Sequence, residues 1–265
     1  MFHLIEKDSL KYYKIDSFEE TGLVTHCFTT RLGGVSRGEF SSMNFRTNCA
    51  DTKENVLKNY EIIATELGVG IDSLVLSKQI HEVRVEKVGL EDCGNGIIRE
   101  NIFDSADALI TNEPGVVLVT SFADCVPVFF LDPKKKVVAL AHSGWKGTVK
   151  NISAKVIEKF REYGSEPSDI LAAIGPSIGE CCFEVGDDVA DIFISEYGEK
   201  YAKKYGERFH VNLQSVVYDQ LIAGGVKAEK ITLAGICTAC NSDLLFSHRK
   251  TNGRRGNLAA FLGLK

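Results

Sequence analysis

Short apolar runs rich in β-branched residues alternate along this chain with stretches in which apolar residues recur at helical spacing. Residues 23–29 read as a strand, and Arg31-Leu-Gly-Gly-Val-Ser-Arg-Gly reads as a loop whose glycines permit positive φ or close backbone approach to a ligand. Asp51-Thr-Lys-Glu54 has the form of a capping box. Behind it, Val56, Tyr60, Ile63 and Leu67 line one face of a helix expected to end near Gly68. Strands are expected over 74–79 and 83–88, which leaves His81 at a strand end or in the turn between them. Residues 89–105 are polar and Gly-rich, after which 106–111 and 116–121 predict a hairpin around Asn112-Glu-Pro-Gly115.

The next pair of runs carries the chemistry. Residues 126–131 and 137–141 are β-rich and separated by Asp132-Pro133 and three lysines, so they read as an antiparallel hairpin. A two-residue turn at Pro133-Lys134 would set Cys125 directly opposite His142, with Cβ atoms roughly 4.5–5.5 Å apart; a slightly longer loop would stagger them. Gly144-Trp-Lys-Gly147 then leads into a helix carrying Val149, Ile152, Val156, Ile157 and Phe160 and ending near Gly164.

Residues 171–174 read as a strand, 175–179 as a loop, 185–197 as a helix and 198–208 as an exposed segment. Asn212 can cap a helix carrying Leu213, Val216, Val217 and Leu221 that stops at Gly224-Gly225; 231–236 reads as strand, and 244–263 as loop and a final strand. No repeat or linker interrupts the series. The expected fold class is α+β: residues 1–265 as a single domain, a layered α/β sandwich with helices on a mixed, largely antiparallel sheet.

Composition narrows the partners. Of 265 residues, 44% are hydrophobic and 25% charged, and the net charge of −5 offers no basic footprint for nucleic acid, so a small molecule is the favoured partner. The amino terminus carries charge where a signal peptide needs an apolar core, and no run approaches the length of a spanning helix. The expectation is a cytoplasmic protein with no membrane contact. The eight cysteines are scattered through a chain with its own core and are expected to be mostly reduced thiols.

His81, Cys125 and His142 each fall at an expected strand end or beside a glycine turn. A thiolate and two imidazoles suit one shared transition metal, and three ligands rather than four would leave a position open for chemistry. Cys125 and His142 alone could instead form a nucleophile and base. The bland alternative is a buried cysteine and two histidines satisfied by the backbone. Cys237-Thr-Ala-Cys240 and Cys181-Cys182 make a Cys₄ site conceivable, with spacing unlike a zinc ribbon. The cytidine-deaminase pattern is not met, since Glu82 follows His81 directly and Ile236 precedes Cys237. Arg31, Arg249, Arg254 and Arg255 lie beside glycines in expected loops and are candidate anion ligands. Dinucleotide, Walker and serine-hydrolase motifs are missing.

Ordered motifs from about His26 onward carry a resemblance. They are His26-Cys-Phe-Thr-Thr-Arg31-Leu-Gly-Gly-Val-Ser, Met43-Asn44, Gln79-Ile-His81, Ser105-Ala-Asp107-Ala-Leu-Ile-Thr, Ala123-Asp-Cys125-Val-Pro, Ala141-His142-Ser-Gly-Trp145-Lys-Gly, Ile174-Gly-Pro176 and Phe246-Ser-His-Arg249. On these the chain resembles the YfiH-type family, also described as laccase-domain or multicopper polyphenol oxidoreductases and as purine nucleoside phosphorylases with adenosine deaminase activity. The resemblance implies zinc ligands at His81, Cys125 and His142, which would also be the catalytic centre, with copper as another candidate metal. It implies a purine nucleoside and phosphate as substrates, for which Arg31, Asn44 and Arg249 are the candidate contacts; the oligomeric state stays open between monomer and homodimer. It also implies an α/β sandwich related to a toxin deamidase with a Cys-His pair, hence a metal-free hydrolase as rival function. Ser143, Lys146 and His248-Arg249-Lys250 depart from the family's usual Ala-Gly-Trp-Arg-Gly and Tyr-Arg-Arg, which bears on the anion contacts and not on the metal ligands. A true laccase is disfavoured, because only Met1 and Met43 could act as an axial copper ligand and six histidines are few for a multicopper cluster.

Overall fold

The computed structural model describes all residues, 1–265, and stacks two six-stranded sheets between helical layers. In the first sheet the order is Phe2–Lys7, Leu10–Ile15, Val24–Thr29, Leu258–Leu264, Val117–Phe122 and Leu74–Leu76. In the second it is Ile231–Leu233, Leu171–Ile174, Val126–Asp132, Val137–Ser143, Ala108–Thr111 and Val85–Lys87. Each sheet is antiparallel apart from its short flanking strands: Leu74–Leu76 pairs parallel, as do Val85–Lys87 and Ile231–Leu233. The expected α+β sandwich with largely antiparallel pairing is present, divided between two sheets rather than gathered in one.

Three apolar cores hold the layers. Between the sheets, Phe28, Leu118 and Leu262 of the first meet Leu109, Phe129, Leu131 and Leu140 of the second. On the outer face of the first sheet, helix Lys53–Leu67 sets Val56, Tyr60 and Ile63 against Val117, Val119 and Phe261. On the outer face of the second, helices Ile152–Glu162 and Leu213–Ala223 pack Val156, Phe160, Val217 and Leu221 against Phe130, Val128 and Ala139. Central strands are therefore buried on both faces, which explains why 126–132, 137–143 and 258–264 read as continuous apolar runs without alternation.

Helix boundaries follow their caps. The helix expected after Asp51 starts at Lys53 with Thr52 as the cap, its hydroxyl accepting from the Asn55 N–H at 3.2 Å, and Gly68 ends it at φ 70°. Asn212 caps as expected, its side chain accepting from the Ser215 N–H at 3.0 Å. The single helix expected after Gly144 is two, Trp145–Val149 and Ile152–Glu162, because Asn151 takes a left-handed conformation (φ 56°) and caps the second by accepting from the Ala154 N–H.

Strand pairing differs from expectation in one respect that matters for function. The runs 106–111 and 116–121 do form strands, but they lie in different sheets, and Asn112–Gly115 carries the chain across the sandwich. Both strands are buried on both faces, so no polar face records which sheet each belongs to. Leu74–Leu76 and Val85–Lys87 likewise lie in different sheets. The amino-terminal hairpin is not signalled by the pattern because its outer strand, half exposed at a sheet edge, mixes charges with apolar residues. Residues 202–205, expected only as exposed chain, form an outer strand of a small third sheet with Arg208–Val211 and Glu184–Val185.

Candidate metal centre and substrate cavity

The chain crosses between the sheets at one end of the sandwich, and two crossings deliver two of the three candidate ligands. His81 lies between Leu74–Leu76 of the first sheet and Val85–Lys87 of the second; Cys125 lies between Val117–Phe122 and Val126–Asp132; His142 stands on Val137–Ser143. The hairpin loop has four residues, so Asp132 pairs with Val137 and Pro127, rather than Cys125, lies opposite His142. Lengthening the loop by two residues shifts the register by two, which keeps Cys125 on the same face and moves it to the diagonal position. The Cys125 Sγ and one ring nitrogen from each histidine lie within 4.8 Å of one another.

A buried carboxylate organises this cluster. Asp107, fully buried, accepts backbone N–H groups from Ile80 (3.3 Å), His81 (3.0 Å) and Glu82 (2.9 Å), and its Oδ1 lies 3.3 Å from His142 Nδ1. Burial opposes its charge, but the His142 ring and these amides outweigh that and hold the carboxyl below the ordinary range. Its three amide bonds secure His81 at φ 63°, a conformation costing a non-glycine residue about 1–3 kcal/mol. An Nδ1–H on His142 directed at Asp107 leaves Nε2 free to ligate, the usual orientation of a metal-bound imidazole.

Asp124 does the corresponding work for Cys125. It too is left-handed (φ 86°), and its carboxylate accepts from the Thr238 hydroxyl at 2.6 Å and the Arg249 N–H at 2.7 Å. The peptide before Cys125 is thereby tied to the turn at 237–240 and to the short helix His248–Thr251.

Charge acts in opposite directions on the two histidines. Burial and the neighbouring His142 depress the His81 pKa, favouring the neutral ring that can ligate. Burial also opposes charge on His142, but Cys125 and Asp107 outweigh it and raise its pKa to about 9 in the metal-free protein. Gly144 leaves the space: a Cβ there would sit 2.8 Å from His81 Nδ1 and 3.2 Å from Cys125 Sγ. A His₂Cys donor set, a carboxylate against the far nitrogen of His142 and a side-chain-free position beside two ligands together fit a small transition-metal ion.

The three residues form part of the wall of a largely polar cavity of about 650 Å³, within the range for small-molecule sites. Gln79, Ser121 and Asn257 form a hydrogen-bonded strip on that wall: Gln79 Nε2 donates to the Ser121 carbonyl (2.8 Å), Ser121 Oγ to Gln79 Oε1 (3.0 Å), and Asn257 Nδ2 to Ser121 Oγ (3.1 Å). Arg46 and Arg255 also face the cavity, and neither has a carboxylate partner among the ion pairs. Burial and the nearby Arg46 depress the Arg255 pKa, and its Nε is buried without a partner. Two cations, one with an unused buried donor, make the positive side of this cavity.

The other candidates occupy different places. Arg31 is outside the cavity, its Nε donating to the Ser41 carbonyl (3.1 Å), its Nη1 to the Ser242 carbonyl (2.9 Å), with the guanidinium over Phe246. Arg249 is likewise outside and donates to the Cys182 carbonyl at 3.0 Å. Asn44 is fully buried behind the wall, where Oδ1 accepts from the N–H groups of Arg46 (2.8 Å) and Asn257 (2.9 Å) and so positions both. Arg254 pairs with Glu39 on the surface. Pattern reading passed over Arg46, which no glycine flanks, and Asp107, although a lone carboxylate opening an apolar strand was a signal for it.

Comparison with known proteins agrees with this architecture. Residues 25–265 match the family model described as multi-copper polyphenol oxidoreductase laccase. A purine nucleoside phosphorylase of Bacillus subtilis, YlmD, is 38% identical over 244 residues, 90% of this chain and 87% of that protein. An adenosine deaminase from an unknown prokaryotic organism is 33% identical over 232 residues, 84% of this chain and 87% of that one. The crystal structure of Bacillus licheniformis hypothetical protein YfiH superposes with a TM-score of 0.93 at 34% identity, covering 100% of this chain and 99% of that chain. The chain belongs to the YfiH-type, laccase-like family.

Proposed function

We propose that this protein is a purine nucleoside phosphorylase acting on adenosine, inosine, guanosine and methylthioadenosine, with hydrolytic deamination of adenosine as a second activity. The observation that carries the reading is the shared cavity: one end has a His₂Cys set able to hold zinc, and the same wall presents Arg46 and Arg255 to an anion. The relatives named as phosphorylase and deaminase supply the two reactions. Residues 1–265 act as one unit in this reading, because each sheet contributes to two of the three cores.

In phosphorolysis a phosphate oxygen bonds to C1′ of the ribose as the C1′–N9 bond breaks, and the purine leaves with a proton. Arg46 and Arg255 hold the phosphate, with charge-assisted hydrogen bonds that also reduce its repulsion from other anionic groups. The Gln79–Ser121–Asn257 strip offers amide and hydroxyl groups, already fixed in position, to the sugar or base. Asn44 keeps Arg46 and Asn257 in register from behind. Zinc held by His81, Cys125 and His142 would supply Lewis acidity and water acidified to a pKa of about 7, the chemistry that attack at the adenine C6 position needs.

Copper fits less well. Met43 is buried in the core under helix Lys53–Leu67 and Met1 is exposed, so neither lines the cavity. His26 accepts from the Ile15 N–H within the fold, and His3, His210 and His248 do not join His81 and His142. The donors for a multicopper cluster are not assembled.

A metal-free hydrolase is the second reading, favoured by the order Cys125–His142–Asp107, with Cys125 Sγ within 4.8 Å of a His142 ring nitrogen and Asp107 Oδ1 3.3 Å from His142 Nδ1. Iodoacetamide separates the two, since a zinc-bound Cys125 should label slowly until a chelator is added, whereas an activated nucleophile labels rapidly in untreated protein. The activity itself is tested by incubating purified protein with adenosine, with and without phosphate, and resolving the products. Adenine and ribose 1-phosphate should form only with phosphate, and inosine under both conditions; no adenine in phosphate overturns the phosphorylase reading.

A further inference from the structure

The loops that follow two parallel strands of the second sheet bring four cysteines together away from the cavity. Ser177 bridges to Cys237, and the Thr238 N–H donates to the Ser177 carbonyl at 3.0 Å, so residues 177–182 and 237–240 lie side by side. Cys181, Cys182, Cys237 and Cys240 have all four sulfurs within 4.8 Å of one another, and the Cys240 sulfur is 3.5 Å from those of both Cys181 and Cys182. We propose that these residues form a second metal site, a mononuclear Cys₄ centre for a thiophilic divalent ion such as Zn²⁺.

The dimensions suit one ion. Four sulfurs at the usual zinc–sulfur distance of about 2.3 Å stand about 3.8 Å apart at the corners of a tetrahedron. The observed spacing needs only small side-chain adjustment to reach that. A disulfide would require two sulfurs to close to about 2.05 Å, which in this arrangement would leave the other two thiols unpaired or force a second bond in the same small volume.

The surroundings are also those of a thiolate site. The Gly179 N–H donates to the Cys237 sulfur at 3.2 Å, and a bond of that kind stabilises a ligating thiolate. Gly179 also leaves little room for a side chain, since a Cβ there would lie 3.2 Å from the Cys181 sulfur and 3.2 Å from Cys237 Cβ. Cys181 and Cys240 are exposed, giving an ion direct access from solvent. Four protein ligands close the coordination sphere, so the site's role is to brace structure.

What it braces is the catalytic side. Thr238, inside the Cys-x-x-Cys turn, donates its hydroxyl to Asp124, and Arg249 joins the Cys182 carbonyl to that same carboxylate through its Nη1 and its backbone N–H. Asp124 immediately precedes Cys125. The Cys₄ centre therefore locks together the two loops that hold the left-handed peptide presenting a ligand of the other site.

Metal counting on the full chain, purified reduced from zinc-replete medium, tests this. Wild type should carry two zinc ions per chain, the double variant Cys181→Ser/Cys240→Ser one, and His81→Ala one. If the cavity site does not hold zinc, wild type and His81→Ala both carry one and the double variant none, which still supports the Cys₄ centre. Cobalt substitution of His81→Ala needs no change to the cysteine cluster and should give a strong thiolate-to-cobalt charge-transfer spectrum of four-sulfur ligation. A zinc count unaltered by the double substitution, or a cobalt spectrum lacking multiple thiolates, overturns the proposal.

Discussion

The two thiol-containing clusters of this molecule are built from similar donors and differ in what surrounds them. His81, Cys125 and His142 face a polar cavity, with a buried carboxylate behind and two unpaired arginines on the same wall. Cys181, Cys182, Cys237 and Cys240 sit on loops at the surface, with backbone around them and no such cavity residues among their neighbours. Three protein donors leave a metal a position for a substrate or water, and four do not. On this proposal, ligand number and the groups behind the ligands, rather than the presence of cysteine, would separate a place for chemistry from a place for bracing.

Removing a ligand should have the largest effect. His81→Ala should abolish metal at the cavity site and lower both nucleoside activities by more than the 10–100-fold typical of second-shell changes. Metal analysis beside both product assays checks it, and activity surviving without that metal would move the account to the Cys-His hydrolase.

Two changes then probe the shell around the ligands. Asp107→Asn should cost about 10–100-fold in metal affinity and, because its carboxylate accepts three amides in a fully buried position, about 1–3 kcal/mol of stability. Chelator competition and denaturant unfolding measure the two effects. Gly144→Ala should also weaken metal by roughly tenfold or more through its contacts with His81 and Cys125, without comparable loss of stability, since the backbone there has ordinary φ. Equal losses in metal affinity and stability would mean that Gly144 is simply a packing position.

Arg255→Gln should have a smaller, one-sided effect. Removing a charged donor costs about 1.5–3 kcal/mol, so the KM for phosphate should rise roughly tenfold or more, while phosphate-independent deamination falls less. Steady-state kinetics with phosphate varied will show whether the two reactions separate; an equal loss in both would place Arg255 at the nucleoside instead.

How legible these features were in the sequence depended on how local their causes are. Gly68, Asn212 and the apolar faces behind them specify helices within a few residues, and these two helices lie where the pattern put them, although the cap of the first is Thr52 and not Asp51 of the expected capping box. Cys125 and His142 were recoverable because a period of two keeps both on one face even when the hairpin loop is two residues longer than the tightest turn. Sheet membership was not recoverable. Ala108–Thr111 and Val117–Phe122 are buried on both faces, so their composition is equally suited to a hairpin and to a crossing between sheets. The positive side of the cavity failed for a related reason, since Arg31, Arg249 and Arg255 all lie near glycines along the chain and Arg46 does not. Only the folded chain distinguishes Arg31 and Arg249, which lie outside the cavity, from Arg255, which lines it. The Cys₄ cluster depends on parallel pairing of Leu171–Ile174 with Ile231–Leu233, a long-range contact that cysteine spacing does not encode.

The most direct test of the central claim is a metal-edge X-ray scan of a crystal, followed by an anomalous difference map at the zinc edge. One peak is expected among His81 nitrogen, Cys125 Sγ and His142 nitrogen, with Asp107 on the far side of the His142 ring. No peak there in fully zinc-loaded protein, together with rapid alkylation of Cys125, would contradict it.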